Sequence, residues 1–294
     1  MLQAHQSKLP SKFWNTSMKA EEWLKRATNN LRAKNIGSAR LDSLILLEDE
    51  LGRDRAWVLA HPEAEIKPEQ VKKLNKKIAR RASYEPLAYI RGFSEFYGRK
   101  FKVNKRVLEP RPESETMIEL LKQLVNRLQV TGYSRSSSLG IADVGTGSGA
   151  LGITAVLELR NPEVDLYDID ASALAVARHN ATLHELHLHC YKRDLLNRPV
   201  RPYNVILANL PYVPDRWKIN KAAAMEPRIA IFGGKDGLDV YRRLFDQLIK
   251  LPWKPKYIFT ESLPPQHQKL AKIAKNADYK LLESRDFIQL FKNT

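Results

Sequence analysis

The stretch 139-LGIADVGTGSGALGI-153 decides the fold of this 294-residue chain. Its apolar first part predicts a buried strand, and the residues from Gly149 onward predict a helix. Glycines 145, 147 and 149 lie between them, where small residues let the backbone approach a ligand and the helix N-terminus offers free N–H groups. A glycine-rich turn alone suits many nucleotide-binding folds, and no Gly-Lys-Ser/Thr follows, which excludes a P-loop.

The alternation of strand and helix continues to the end of the chain. Further strands are predicted in "EVDLYDID", "LHCYKRD", "YNVILAN" and "KYIFTES", and further helices in "SALAVARHNATLH" and "GLDVYRRLFDQLIKL". This order predicts an α/β fold with a largely parallel sheet covered on both faces. In such folds ligands bind at the carboxyl ends of the strands.

The N-terminal part of the chain has a different pattern of apolar residues, which predicts a small helical bundle. Three segments have helical spacing of apolar residues, with Ser17 as an N-cap, Gly52 as a helix end and Pro68 as a helix start. The segment 96-FYGRKFKVNKRVL-108 alternates apolar and polar residues around Gly98 and Asn104, which predicts a hairpin. We therefore expect a helical domain over 1–84, a linker with a β-hairpin over 85–114 and a larger domain over 115–294.

Composition indicates a soluble protein of a reducing compartment, and we expect it in the cytoplasm. No apolar run approaches a membrane span, the first residues lack the apolar core of a signal peptide, and Cys190 is the single cysteine. The net charge of +16 includes seven basic residues in 67-KPEQVKKLNKKIARR-81. This run suits either a phosphate-bearing or acidic partner, or a solvated helix face.

Acidic residues follow the second and third predicted strands of the larger domain. Asp168 is placed to accept hydrogen bonds from two ribose hydroxyls, whereas Asp170 is better explained as a helix N-cap. Asp194 would face the amino group of an adenine. A glycine loop followed by these two acids suits an adenosyl ligand without a pyrophosphate.

The fourth strand ends in Asn209, Leu210, Pro211 and Tyr212. The Asn209 side-chain oxygen and the Leu210 carbonyl are two acceptors that together hold both hydrogens of a planar NH2 group, and Tyr212 would cover its flat face. Methylation of such a nitrogen needs positioning because its lone pair is delocalised. The chemistry requires no metal, and the histidines of 184-HELHLHC-190 match no metal-binding spacing.

With this motif, three longer segments resemble the peptide chain release factor N5-glutamine methyltransferases. They are "GSARLDSLILLEDELG" (37–52), "EPLAYIRGFSEFYGRKFKVNKRVLEPRPESE" (85–115) and "MEPRIAIFGGKDGLDVYRRL" (225–244). The resemblance implies a Rossmann-like class I methyltransferase domain, with a helical N-terminal domain that helps to grip the release factor. It further implies S-adenosyl-L-methionine as methyl donor, S-adenosyl-L-homocysteine as product, no metal, and the glutamine of a Gly-Gly-Gln tripeptide as acceptor.

The resemblance also assigns residues. The donor would be contacted by Gly145, Thr146, Gly147, Ser148, Gly149, Asp168, Asp194, Leu195 and Asn209, and the glutamine amide by Asn209, Leu210, Pro211 and Tyr212. Arg111 and Glu113 would line the cleft near the substrate or form an ion pair that holds the hairpin, and Glu226 and Arg228 would fix a loop. We expect a monomer that does not bind a membrane.

Three departures from the family pattern stand out. Leu210 replaces the usual proline, Glu109 replaces an aliphatic residue, and "TESLPPQHQKL" lacks the glycine that normally follows its acid, so that the last hairpin is expected to be altered. Other functions remain open at this point: glutamine methylation of a ribosomal protein, adenine or cytosine methylation of nucleic acid, which is not favoured, and adenosyl binding without catalysis.

Overall fold

A computed structural model of the chain describes residues 17–130 and 138–294. The chain forms two compact units, which divide between Arg91 and Gly92. The hairpin of the predicted linker therefore belongs to the second unit. Within the described residues, no helix is long and apolar enough to cross a membrane.

The first unit is a helical bundle with its own core. Trp23, Leu31, Leu46, Leu47 and Leu74 are almost completely buried in it. Its elements are β1 (Met18–Lys19), α1 (Ala20–Arg32), α2 (Ala39–Leu51), α3 (Arg55–Ala60), β2 (Glu65–Ile66), α4 (Pro68–Ala82) and α5 (Leu87–Arg91).

The ends of these helices test three sequence predictions. Gly52 ends α2 in the left-handed conformation and Pro68 is the first residue of α4, so both predictions are confirmed. The prediction of Ser17 as an N-cap is wrong, because α1 begins at Ala20 after an extended residue. The Ala20 N–H instead donates to the Ala64 carbonyl at 2.9 Å. A neighbouring chain segment thus satisfies the helix start that a serine side chain was expected to satisfy.

The second unit opens with a hairpin formed by β3 (Phe93–Phe96) and β4 (Arg99–Lys102), so the hairpin is confirmed but lies earlier than the predicted range 96–108, and Asn104 falls outside it. Tyr97 and Gly98 both have positive φ, at 51° and 71°, as the favoured two-residue hairpin turn requires. Asn180, which is fully buried, connects the hairpin to the rest of the unit. Its side chain bonds both the N–H and the carbonyl of Lys102, at 2.7 and 3.0 Å.

A seven-stranded sheet forms the centre of the second unit, with strand order β10-β11-β9-β8-β5-β6-β7. The five strands from β5 to β9 run parallel, and β11 is antiparallel to both of its neighbours. The elements are α6 (Glu115–Val130), β5 (Leu139–Val144), α7 (Ala150–Glu158), β6 (Pro162–Asp168), α8 (Ala171–Leu183), β7 (His189–Lys192), β8 (Val205–Ala208), α9 (Asp239–Lys250), β9 (Tyr257–Glu261), α10 (His267–Lys275), β10 (Tyr279–Arg285) and β11 (Ile288–Asn293).

Burial on both faces of the sheet explains the continuous apolar runs in the sequence. All residues of β5, β8 and β9 are buried, as expected for parallel strands covered by helices. The predicted α/β fold is confirmed. The last hairpin pairs from Tyr279 to Arg285 against β11, with one irregularity in register between Leu281 and Glu283.

Candidate active site

A cavity of about 180 Å³ opens at the carboxyl edge of the parallel strands. Its wall is formed by the glycine loop after β5, the residues that follow β6, β7 and β8, the segment that follows the hairpin, the loop at 227–230 and the first turns of α9. The predicted residues on this wall are Gly145, Thr146, Gly147, Ser148, Asp168, Asp194, Leu195, Asn209, Leu210, Pro211 and Arg111. Gly149, Tyr212 and Glu113 do not line it.

Hydrogen bonds to Asp143 of β5 fix the glycine loop to the sheet. Thr146 Oγ1 and the Gly152 N–H both donate to Asp143 Oδ2, at 2.6 and 2.9 Å. Asp143 is buried at the end of β5, and burial raises the pKa of its carboxyl to about 6. Gly147 has a φ of 55°, and a Cβ there would meet no atom within 4 Å. The loop thus offers its backbone to the cavity.

Gly149 has a packing role instead of a cavity position. A Cβ at this residue would lie 2.9 Å from Ile153 Cδ1 and 3.3 Å from Ala177 Cβ. Its φ of 84° also lies in the region that favours glycine. Gly149 therefore lets the start of α7 approach α8 closely.

Asp168 lies at the end of β6 on the cavity wall. Its two carboxylate oxygens accept from the backbone N–H groups of Gly147 and Asp170, each at 2.9 Å. Burial raises its pKa, and these hydrogen bonds oppose the shift. A carboxylate has about four acceptor positions, so the capacity to accept from two hydroxyls remains. Asp170 caps α8 by accepting from the Ser172 N–H at 2.8 Å, which confirms its prediction as an N-cap.

Asp194 also lines the cavity, but its carboxylate is already paired. Arg243 of α9 donates to Asp194 Oδ2, and both residues belong to the wall. Leu195 beside it is nearly buried and has a φ of 55°. Arg243 was not predicted as a site residue, and any ligand group that faces Asp194 would also meet its guanidinium.

The motif after β8 is held by a buried carboxylate on the next strand, β9. Asn209 Nδ2 donates to Ser114 Oγ at 2.9 Å and to Glu261 Oε2 at 3.0 Å. Tyr212 Oη donates to Glu261 Oε1 at 3.0 Å, and Ser114 Oγ donates to Glu261 Oε2 at 2.6 Å. Glu261 and Ser114 are only 1% and 2% exposed. Three donors thus converge on one carboxylate at the site.

Leu210 makes contacts that the usual proline would lose. Its side chain is 2% exposed, and its Cδ2 lies 2.8 Å from the position of a Cβ on Gly145. Its N–H donates to Tyr241 Oη at 3.3 Å, a bond that a proline nitrogen cannot make. The leucine is thus a well-packed core residue that also connects the motif to α9.

A second glycine-rich loop, at 233–237, packs against the backbone of the motif 209–212. A Cβ on Gly233 would lie 2.3 Å from the Pro211 carbonyl oxygen, and one on Gly237 would lie 2.0 Å from the Tyr212 carbonyl oxygen. The Tyr212 carbonyl also accepts from Gln266 Nε2 at 2.8 Å. The "GGKDGL" run therefore allows close contact with the motif backbone.

Arg111 forms an ion pair with Glu226, with Nη2 2.6 Å from Oε1. Glu226 is 5% exposed, and it also accepts from the Glu109 N–H at 3.3 Å. The Glu109 carboxylate in turn accepts from Ser94 Oγ at 3.2 Å, which gives this departure from the family pattern a local partner. The Arg228 guanidinium lies 4.3 Å from the centroid of the Phe232 ring. These contacts fix the loop around Glu226 to the segment after the hairpin.

The residues of the cavity fit an adenosyl ligand. Asp168 retains acceptor capacity for hydroxyl groups, Gly147 faces open space, and Leu151, Ile169 and Leu195 supply apolar wall. Across the described ranges 17–130 and 138–294, no cluster of histidine, cysteine, aspartate or glutamate could hold a metal ion.

Comparison with known proteins identifies the family. Residues 22–92 match the PrmC N-terminal domain and residues 121–226 match the methyltransferase small domain. The release factor glutamine methyltransferase of Koribacter versatilis is 36% identical over 227 residues, which are 76% of this chain and 78% of that protein. The chain belongs to the release factor glutamine methyltransferase family. The protein of the same name from Coxiella burnetii is also 36% identical, over 74% of this chain and 78% of its own length.

This membership confirms the family predicted from the sequence and makes the second unit a class I methyltransferase. Among solved structures, the hMettl16 catalytic domain in complex with MAT2A 3′UTR hairpin 6 superimposes with a TM-score of 0.50 at 11% identity. That match covers 76% of this chain and 81% of the other, and it shows the shared fold.

Five residues at or around the site were not predicted from the sequence: Ser114, Asn180, Tyr241, Arg243 and Glu261. Glu261 had a usable signal, because it ends the strand after the Asn209 strand, and ends of parallel strands meet at one edge. Ser114 lies in the Pro-Arg-Pro-Glu-Ser-Glu run, but 95 residues separate it from Asn209 and 147 separate it from Glu261. Asn180 lies inside a helix and gave no signal.

Proposed function

We propose that this protein transfers a methyl group from S-adenosyl-L-methionine to the side-chain amide nitrogen (N5) of the glutamine in the Gly-Gly-Gln motif of peptide chain release factors. Membership of the family supports the reaction, and the names of its relatives support the substrate. The observation that carries the proposal is the position of Asn209 and Leu210 on the wall of the cavity that the glycine loop also lines.

The donor site in this proposal consists of the glycine loop, Asp168 at the end of β6 and the residues that follow β7. The backbone of Gly145 to Ser148 would contact the methionine part, and the Asp168 carboxylate would accept from the ribose hydroxyls. Leu195 would contact the adenine. When bound, S-adenosyl-L-methionine supplies an electrophilic methyl group on a positively charged sulfur.

The acceptor site consists of two oxygen atoms. Asn209 Oδ1 and the Leu210 carbonyl would each accept a hydrogen bond from the glutamine NH2 group, which fixes the plane of that amide. As this nitrogen forms its bond to the methyl group, the bond between that methyl group and sulfur breaks to leave S-adenosyl-L-homocysteine. The nitrogen gains positive charge until one of its two protons is released to solvent, so both hydrogen bonds strengthen toward the transition state. Tyr212 does not line the cavity itself, but Glu261 holds its hydroxyl, and in this proposal its ring would cover the flat face of an amide bound at Asn209. Positioning of this kind supplies much of the rate in reactions without a strong base.

The proposal is tested by transfer of labelled methyl to purified release factor. A release factor with the Gly-Gly-Gln glutamine changed to glutamate serves as the matched control. We expect label on the intact protein alone; equal label on both proteins, or no label on either, would refute the proposal. The Asn209→Ala enzyme should lose transfer while it binds S-adenosyl-L-methionine nearly as tightly as the original protein.

The structure gives less support to methylation of nucleic acid. Four of the seven basic residues in 67–81 have carboxylate partners within the first unit. Lys73 and Lys77 pair with Glu50, Arg80 pairs with Glu85, and Arg81 pairs with Asp42. Much of this charge is therefore neutralised locally. An RNA-binding titration of the protein whose Lys72 and Lys76 are changed to glutamine tests the remaining possibility, through a reduced dependence of affinity on salt.

A further inference from the structure

The orientation of the Asn209 side-chain amide is decisive for the proposed reaction. An asparagine amide has a donor end and an acceptor end, and only the acceptor end can hold the NH2 group of a glutamine. A rotation of 180° would present the Asn209 NH2 group to the substrate NH2 group, and two donors would then face each other. Something in the protein must therefore determine which end points toward the substrate.

Glu261 and Ser114 supply that determinant. The Ser114 hydroxyl proton is donated to Glu261 Oε2 at 2.6 Å, so Ser114 Oγ meets Asn209 with a lone pair. Glu261 Oε2 meets Asn209 as a carboxylate oxygen. Both groups accept from Asn209 Nδ2, at 2.9 and 3.0 Å. In the alternative orientation Asn209 Oδ1 would face the Glu261 carboxylate oxygen, and Ser114 could donate to Asn209 only by giving up its hydrogen bond to Glu261. Both outcomes are unfavourable inside a buried site.

The same carboxylate holds a second residue of the motif. Glu261 Oε1 accepts from Tyr212 Oη at 3.0 Å. The backbone of Glu261 is itself fixed to the end of β8, because the Tyr241 hydroxyl donates to the Glu261 carbonyl at 2.6 Å and contacts the Ala208 carbonyl at 2.9 Å. Burial raises the pKa of Glu261, while the three hydrogen bonds to its side chain oppose that shift.

We propose that Glu261, with Ser114, is the positioning residue that orients the Asn209 amide so that Oδ1 faces the substrate nitrogen. This inference rests on the proposed function, because it takes a substrate NH2 group as the partner of Asn209. Glu261 acts through Asn209 and Tyr212 and is not itself a catalytic residue.

The test exchanges the amide at position 209 and the carboxylate at position 261. In the Asn209→Asp enzyme two carboxylates face each other. In the double variant Asn209→Asp/Glu261→Gln, the new glutamine NH2 group donates to the new aspartate, whose second oxygen remains as the substrate acceptor. Glu261→Gln should therefore lower methyl transfer about 10- to 100-fold in the original protein but raise it about 10-fold in the Asn209→Asp protein. A merely structural role of Glu261 would lower activity in both backgrounds, and this result would overturn the inference.

Controls distinguish a loss of positioning from a loss of folding and from a wrong choice of substrate. Glu283→Gln makes the same chemical change on β10, outside the cavity wall, and should leave transfer unchanged in both backgrounds. Thermal unfolding and S-adenosyl-L-homocysteine binding show that each variant is folded. If the original protein labels no release factor, the proposed function fails, and ¹⁵N NMR still tests the positioning. The Asn209 side-chain NH2 signal, identified by its loss in Asn209→Asp, should shift in Glu261→Gln; an unchanged signal would overturn the inference.

Discussion

Substitution of Gly237 by alanine should destabilise the second unit by disturbing the motif backbone. Two effects act together at this position. Gly237 has a φ of 81°, and its added Cβ would lie 2.0 Å from the Tyr212 carbonyl oxygen and 2.4 Å from Gln266 Nε2. Because the nearest atom is backbone, the clash cannot be relieved by a change of rotamer. The Tyr212 carbonyl must move, together with the residues that precede it.

The magnitude follows from these two effects. A residue with a Cβ in the left-handed conformation costs roughly 1–2 kcal/mol, and overpacking of a filled site typically costs about 1–3 kcal/mol more. The sum is about 3 kcal/mol for Gly237→Ala. Gly98→Ala provides the matched control, because Gly98 has a φ of 71° but no atom within 4 Å of its Cβ position. That variant should lose only about 1 kcal/mol, from the backbone conformation alone.

Thermal unfolding followed by circular dichroism distinguishes the two variants. At about 2–4 °C per kcal/mol for a unit of this size, Tm should fall by about 9 °C for Gly237→Ala and by about 3 °C for Gly98→Ala. Methyl transfer should fall in Gly237→Ala only. Equal decreases of Tm in the two variants would show that the close approach to Tyr212 does not contribute, and would refute the reasoning.

Three further predictions concern other parts of the chain. Asp168→Asn should weaken S-adenosyl-L-homocysteine binding about 10- to 100-fold in calorimetry, because hydrogen bonds to a charged acceptor are lost; unchanged affinity would contradict the proposed ribose contact. Burial raises the pKa of Asp143 from 3.8 to about 6, so this carboxyl binds its proton more tightly in the folded protein than in the unfolded chain. The protonated carboxyl therefore stabilises the fold below about pH 4, and this contribution is lost as pH rises through about 6. The difference in Tm between Asp143→Asn and the original protein should therefore increase in favour of the variant between about pH 4 and pH 7. In free energy of unfolding this increase is at most about 3 kcal/mol. A Tm difference that does not change with pH would count against this account. In the first unit, Arg81→Ala removes the cationic partner of the buried Asp42 carboxylate and leaves it only its hydrogen bond from Ser38, which should cost roughly 3–5 kcal/mol in urea unfolding. Arg80→Ala removes a more exposed pair and should cost less than about 1 kcal/mol. Similar losses in the two variants would show that burial of the Arg81 pair is unimportant.

The sequence alone determined the fold class and the parts of the site that are contiguous in the chain. Hydrophobic patterns identified the strands and helices, because burial on both faces makes β8 wholly apolar and β5 and β9 largely apolar, with polar residues only toward their carboxyl ends. The glycine loop and the tetrapeptide 209–212 are local motifs, so their residues could be read together. Gly52, Pro68 and Asp170 were assigned correctly because each acts on the backbone within a few residues of itself.

Only the tertiary structure decided which groups meet across the sheet edge. Ser114, Asn209 and Glu261 come from three separate segments, and the parallel strand order brings them within hydrogen-bonding distance. Ser17 failed as an N-cap for the same reason, since a distant segment around Ala64 supplies the acceptor. Asp194 lines the cavity, as the sequence predicted, but only the fold shows that α9 brings Arg243 against it. Local propensity depends on neighbours along the chain, whereas the orientation of the Asn209 amide depends on neighbours in space.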